Sequence, residues 1–172
     1  METLELLQSR RSIRSYTGEK VSKEVEQAVL KAGYAAPVGM GRYDGLHITV
    51  ITDPGFLSDL DRAGAEMFGK PDIHPLYGAP LLIVVSSSEE GNVASANVAM
   101  IVHNMALEAV ELGIGHVDIY GATAGLAANA DLVKKIGIPE GFAPLGAIAA
   151  GPSEETYEAR EIGVRFETNT IE

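Results

Sequence analysis

A chain of 172 residues, 46% apolar and 22% charged, is long enough to bury one core and too apolar for large-scale disorder. Its 24 Asp and Glu against 13 Lys and Arg give a formal charge of -11, which argues against nonspecific nucleic-acid binding, a process that depends on basic residues neutralising phosphates. The absence of cysteine excludes disulfides, thiolate chemistry and cysteine-ligated metals. There is no uninterrupted apolar run of about 18 residues and no basic-then-apolar leader, so the expectation is no membrane segment and a cytoplasmic location.

The first predicted element is a short helix over 3–10, with Thr3 as its cap and Leu4 and Leu7 on an apolar face. At its end stands Arg10-Arg11-Ser12-Ile13-Arg14-Ser15-Tyr16, three guanidinium groups in seven residues of an acidic chain. Guanidinium forks match phosphate oxygens, so one reading is an anion site. The other is a solvated helix end, where cations complement the helix dipole. Both stay open on this stretch alone.

A second helix starts after Ser22, with Val21, Val25, Ala28, Val29 and Ala32 at helical spacing, and stops before Pro37. A glycine-rich loop over 37–45 leads to a strand over 46–52, a turn at Asp53-Pro54-Gly55 and a helix over 57–67. The 69–78 stretch reads as a surface loop. Leu81 opens a continuous apolar strand to Ser86, expected to be buried on both faces.

The longest helical pattern spans 92–112 and is mild all round, which suits a domain centre or a subunit interface. Gly113 is its C-cap glycine. A strand over 114–119, two short helices ending at Gly137, and a small-residue strand over 143–150 follow. The polar tail has one possible short strand at 164–166. Helices and strands interleave, so the expectation is an α+β or α/β domain over 1–172 with one mixed sheet.

Several motifs fail. Gly39-Met40-Gly41-Arg42-Tyr43-Asp44-Gly45 is off the dinucleotide spacing by one and precedes a strand. Gly64 to Lys70 has P-loop spacing but runs into Pro71, without the hydroxyl that would hold magnesium. His47, His74, His103 and His116 are scattered, so no metal is expected, and His103 is read as a core or interface histidine. No nucleophile elbow is present, and no catalytic side chain is assigned.

In joint order, five segments resemble the FMN-dependent nitroreductase family. They are the Arg10-to-Tyr16 cluster, Ala35-Ala36-Pro37, Gly78-Ala79-Pro80 with its strand, Leu112-Gly113-Ile114-Gly115, and Ile136-Gly137-Ile138-Pro139-Glu140-Gly141 followed by Gly151-Pro152. The resemblance implies a three-layer α/β/α sandwich around a mixed sheet. It also implies a homodimer with FMN at the subunit interface and a tail, about 153–172, that extends over the partner. NADH or NADPH would reduce the flavin, which then passes hydride to a nitroaromatic or quinone acceptor in a ping-pong cycle.

By the same resemblance, Arg10, Arg11, Ser12 and Arg14 hold the FMN phosphate and ribityl chain, and Arg160 either reaches the phosphate or is a solvated residue of the tail. Pro37, Val38, Gly39, Met40 and Gly41 approach the cofactor through their backbone. Ile119, Tyr120 and Gly121 lie against the flavin ring, with a backbone N–H directed at its hydride-accepting nitrogen.

The chain departs from the family where polar side chains usually follow the proline. Val38, Gly41, Tyr43, Asp44 and Gly45 stand there instead, and the covering insertion is reduced to about 57–78. A more open site is expected. The alternative from a different class is a non-catalytic flavin-fold binding module with weak or altered cofactor binding.

Overall fold

The structure, a computed structural model, describes residues 2–171. In chain order it contains α1 (Thr3–Ser9), α2 (Lys23–Tyr34), two 3-10 turns (Gly39–Gly41 and Tyr43–Gly45), β1 (Leu46–Ile51), α3 (Pro54–Met67) and β2 (Leu81–Ser87). Then follow α4 (Asn92–Glu111), β3 (Gly115–Ile119), α5 (Gly121–Ala127), α6 (Ala130–Lys135) and β4 (Ala143–Gly151).

Local chemistry sets most boundaries. Ser22 caps α2 by accepting from the Val25 N–H at 3.3 Å. Asp53 does the same for Phe56 at 3.0 Å with Pro54 at the first helical position, so the expected turn there is the start of α3. Thr3 is not a cap: it is already helical, and Glu2 precedes it without a side-chain bond. Gly113, at φ +68°, closes α4. The Ile114 N–H reaches the Ala109 carbonyl at 2.8 Å and the Gly113 N–H reaches Val110 at 3.0 Å, the paired bonds of a Schellman motif.

The strands are ordered β1-β2-β4-β3, and each neighbouring pair is antiparallel. The expected mixed sheet is therefore corrected. Interleaved helices reveal connections long enough to return a strand in either direction, and the end to which each connection returns is a tertiary matter. Alternate residues of β2 and β4 feed two cores. Leu82, Val84, Ala147 and Ala149 face Leu60 of α3, Leu126 of α5 and Leu132 of α6. Leu81, Ile83, Val85 and Ile148 face Val29 of α2 and Val98, Ile101, Val102 and Met105 of α4. The result is an α+β, three-layer arrangement, with all seven residues of β2 buried as expected.

Two expectations about exposure are corrected. α4 is not covered all round, because Val93, Ala96, Met100 and His103 form an exposed stripe at helical spacing. Of the two roles expected for His103, its exposure excludes the core one and leaves the interface one open, while His116 on β3 is the fully buried histidine. The 164–166 strand does not form, and Val164 and Phe166 are exposed.

Candidate functional site

The arginine cluster leaves α1 as an extended segment beside the sheet. The Ile13 N–H donates to the His116 carbonyl at 2.7 Å, and the Thr17 N–H to Pro152 at 2.9 Å. Ile13 is fully buried, and its side chain fills the space that a side chain at Gly115 would need, with Cγ2 only 3.0 Å from an added Cβ. The segment is pinned at Ile13 and Thr17, with the arginines held around those anchors.

The cations then divide. Arg11 spends its donors in the chain, on the Glu155 carboxylate at 2.9 Å and the Thr156 carbonyl at 3.1 Å. Arg160 does likewise, donating from Nε to the Gln8 carbonyl at 3.1 Å and from its terminal nitrogen to the Arg10 carbonyl at 2.6 Å. The side chains of Arg10, Ser12 and Arg14 make no hydrogen bond or ion pair among the described residues. Arg14 instead places its guanidinium 5.7 Å from the centroid of the Tyr77 ring.

Behind Arg10 lies a buried polar cluster that sequence reading missed. Among the described residues neither ring nitrogen of His116 has a hydrogen-bond partner, and Nδ1 stands 3.8 Å from Asp118 Oδ1, which also lacks a hydrogen bond there. Tyr157 stacks on the imidazole with centroids 5.9 Å apart. Its hydroxyl accepts the His116 backbone N–H at 3.1 Å and donates to the Ile114 carbonyl at 2.9 Å. The only sequence signal was an aromatic residue set in a polar tail.

Burial first, then the charges of Arg10 and His103, push the His116 pKa down to about 4. Burial raises that of Asp118, opposed by the same two residues. Because the folded value of His116 lies below its unfolded value near 6.5, its contribution to stability is complete above that pH and is lost as pH falls toward 4. Asp118, raised in the fold, contributes with the opposite sign and softens this acid limb. The expected result is a His116 ring whose nitrogen shifts stay those of neutral imidazole from pH 8 to pH 5. NMR with an H116Q assignment control checks it, and titration near 6.5 would contradict the geometry.

Further along β3, Ile119 is buried and Tyr120 is half-exposed. The Tyr120 ring lies against Gly146, 2.7 Å from where a Cβ would stand. Gly121 is the first residue of α5, so its N–H has no intrahelical acceptor. The Phe68 ring packs on Gly121, 2.5 Å from the position of an added Cβ, so any side chain there would collide with it.

Phe68 begins the 68–80 loop, which roofs a cavity of about 1210 Å³. Asp61 on α3 anchors that loop, with Oδ2 paired to His74 Nδ1 and Oδ1 accepting the Leu76 N–H, both at 2.7 Å. Tyr77 and Gly78 follow in left-handed conformations, φ +56° and +74°. Tyr77 thereby lines the cavity while receiving Arg14. The reduced insertion of the sequence reading is thus an ordered wall, and a non-glycine left-handed residue was its hidden feature.

The structure brings Arg10, Arg11, Ser12, Arg14 and Arg160 to one edge of the fold and carries β3 from Asp118, which feels Arg10, to Ile119, Tyr120 and Gly121. Pro37, Val38, Gly39, Met40 and Gly41 are held elsewhere. The Gly39 N–H donates to Asn97 Oδ1 at 2.9 Å, and Met40 is exposed at φ +54°. That loop sits on the first turns of α4 and, among the described residues, makes no hydrogen bond to the arginine segment.

The nitroreductase family model matches residues 7–152. Among solved structures, a nitroreductase with bound FMN from Bacteroides fragilis NCTC 9343 is 28% identical. It covers 99% of this chain and 98% of its own at a TM-score of 0.84. A nitroreductase with bound FMN from Desulfitobacterium hafniense DCB-2 is 22% identical, with 98% and 99% covered and a TM-score of 0.84. An FMN-dependent nitroreductase from Clostridium difficile R20291 is 24% identical, with 98% and 99% covered and a TM-score of 0.80. The latter two bear on the fold alone. A search of the curated proteins found no match.

Proposed function

The chain belongs to the nitroreductase family, and from that premise we propose that it is an FMN-dependent oxidoreductase that uses NADH or NADPH to reduce an acceptor such as a nitroaromatic or quinone. The observation that carries the proposal is the division of the arginines. Arg11 and Arg160 are committed to holding the segment, whereas Arg10, Ser12 and Arg14 keep their donors unspent in a chain of charge -11. Two guanidinium forks and a hydroxyl suit the oxygens of a phosphate monoester. Arg10 and Ser12 would hold that phosphate, Arg14 would close over it from the Tyr77 side, and the Tyr120–Gly121 backbone would face the ring. When bound, FMN supplies hydride acceptance from the nicotinamide and delivery to the acceptor. The chain contributes position, a backbone donor at Gly121 and a cavity walled by the 68–80 loop.

The same reading includes a homodimer. The α4 stripe of Val93, Ala96 and Met100 is uncovered, and so are Val164, Phe166 and Ile171 in the tail, each more than 80% exposed. A second copy would cover the stripe and give the tail a surface to follow. Loop 37–41, seated at one end of that stripe, would then lie in the interface, where its expected cofactor contacts would be made.

A visible absorption spectrum tests the proposal. The expected result is a flavin band, present as purified or after adding FMN, that bleaches with NADH or NADPH. No band and no uptake of added FMN would overturn it. Uptake without bleaching would favour the binding-module reading, whose support is the loss of polar side chains at Val38 and Gly41.

A further inference from the structure

We propose that the cavity under the 68–80 loop is the acceptor site and that it selects planar aromatic acceptors bearing a carboxylate; the inference rests on the flavin reading above. The cavity adjoins both parts of the proposed cofactor site. Its lining residue Phe68 packs on Gly121, and its lining residue Tyr77 receives Arg14. Its walls are mostly apolar, and the rings of Phe68 and Tyr77 offer surfaces for a flat aromatic ligand.

Its charge is what specifies the substituent. Lys20 and Lys70 line the cavity, and neither forms an ion pair among the described residues. The one acid in the lining, Asp61, has both oxygens engaged, by His74 and by the Leu76 N–H. The cavity thus presents two unpaired ammonium groups against one carboxylate, whose oxygens are turned to His74 and the Leu76 N–H, a net positive lining in a chain of net charge -11. A neutral aromatic gains only from the walls, whereas a carboxylate also gains the attraction of the lysines. Both lysines are exposed, so the gain is modest and screened by salt.

The test compares 4-nitrobenzoate with 4-nitrobenzamide, which has similar size and planarity but no charge, by calorimetric titration of the protein with and without added FMN. Wild type is expected to bind the benzoate about fivefold to tenfold more tightly, a preference that shrinks in 0.5 M salt, as exposed charge pairs require. In K20Q/K70Q the preference is expected to vanish through loss of benzoate affinity. Equal affinities in wild type, or a preference that survives in K20Q/K70Q, would overturn the inference. So would lysine substitutions that weaken only NADPH, since the cations would then read a cofactor phosphate. Binding needs no turnover, so failure of the flavin to bleach would sink the proposed activity while these titrations still decide the acceptor class.

Discussion

Replacing Arg10 and Arg14 together by Ala is expected to weaken FMN binding by roughly two orders of magnitude or more. Hydrogen bonds to a charged group contribute about 1.5–3 kcal/mol each, so losing both forks costs about 3 kcal/mol at the lower end. The lower end applies because Arg14 is exposed and Arg10 only partly buried. Riboflavin, which lacks the phosphate, supplies the control. Its affinity should fall far less, because the proposal sets both arginines on the phosphate that riboflavin lacks. Fluorescence titration of both ligands into wild type and R10A/R14A reads the difference directly. Equal losses for FMN and riboflavin would mean that the segment had collapsed, and unchanged FMN affinity would remove the cluster from the site. The segment itself should hold, since its anchors are the Ile13 and Thr17 N–H groups and the Arg11–Glu155 pair.

The second large effect is expected at α4. Met100 stands at the centre of the exposed stripe, and M100D would place a charge where the proposed dimer buries a thioether. Sedimentation should find wild type at twice the chain mass of 18.1 kDa and M100D at the chain mass. Because FMN is assigned to the interface, M100D should also weaken FMN binding, although Met100 lies on none of the segments assigned to the cofactor. An M100D protein that sediments as a dimer would place the interface elsewhere. Wild type running only as an 18.1 kDa species would remove the dimer altogether.

A cluster of arginines is legible as a string, because chemistry is carried by residue type. Which arginines are free to bind is not legible. Arg11 is claimed by Glu155, 144 positions away, and Arg160 reaches back 150 positions to the Arg10 carbonyl. His103 and His116 show the same limit. Both lie in regular elements, but α4 turns one outward while Tyr157, from the tail, covers the other.

By itself the sequence determined where most of the helices and strands lie. Caps such as Ser22, closing glycines such as Gly113 and the apolar run from Leu81 act within a few residues of themselves. Its residue types also gather three guanidinium groups in the N-terminal segment, the chemistry on which the proposed phosphate site rests. The tertiary structure alone decided the direction of the strands, the division of the arginines into structural and uncommitted sets, and the cavity under the Asp61-anchored loop. Each of these depends on contacts between residues distant in the chain, and a local pattern carries no information about which distant group arrives.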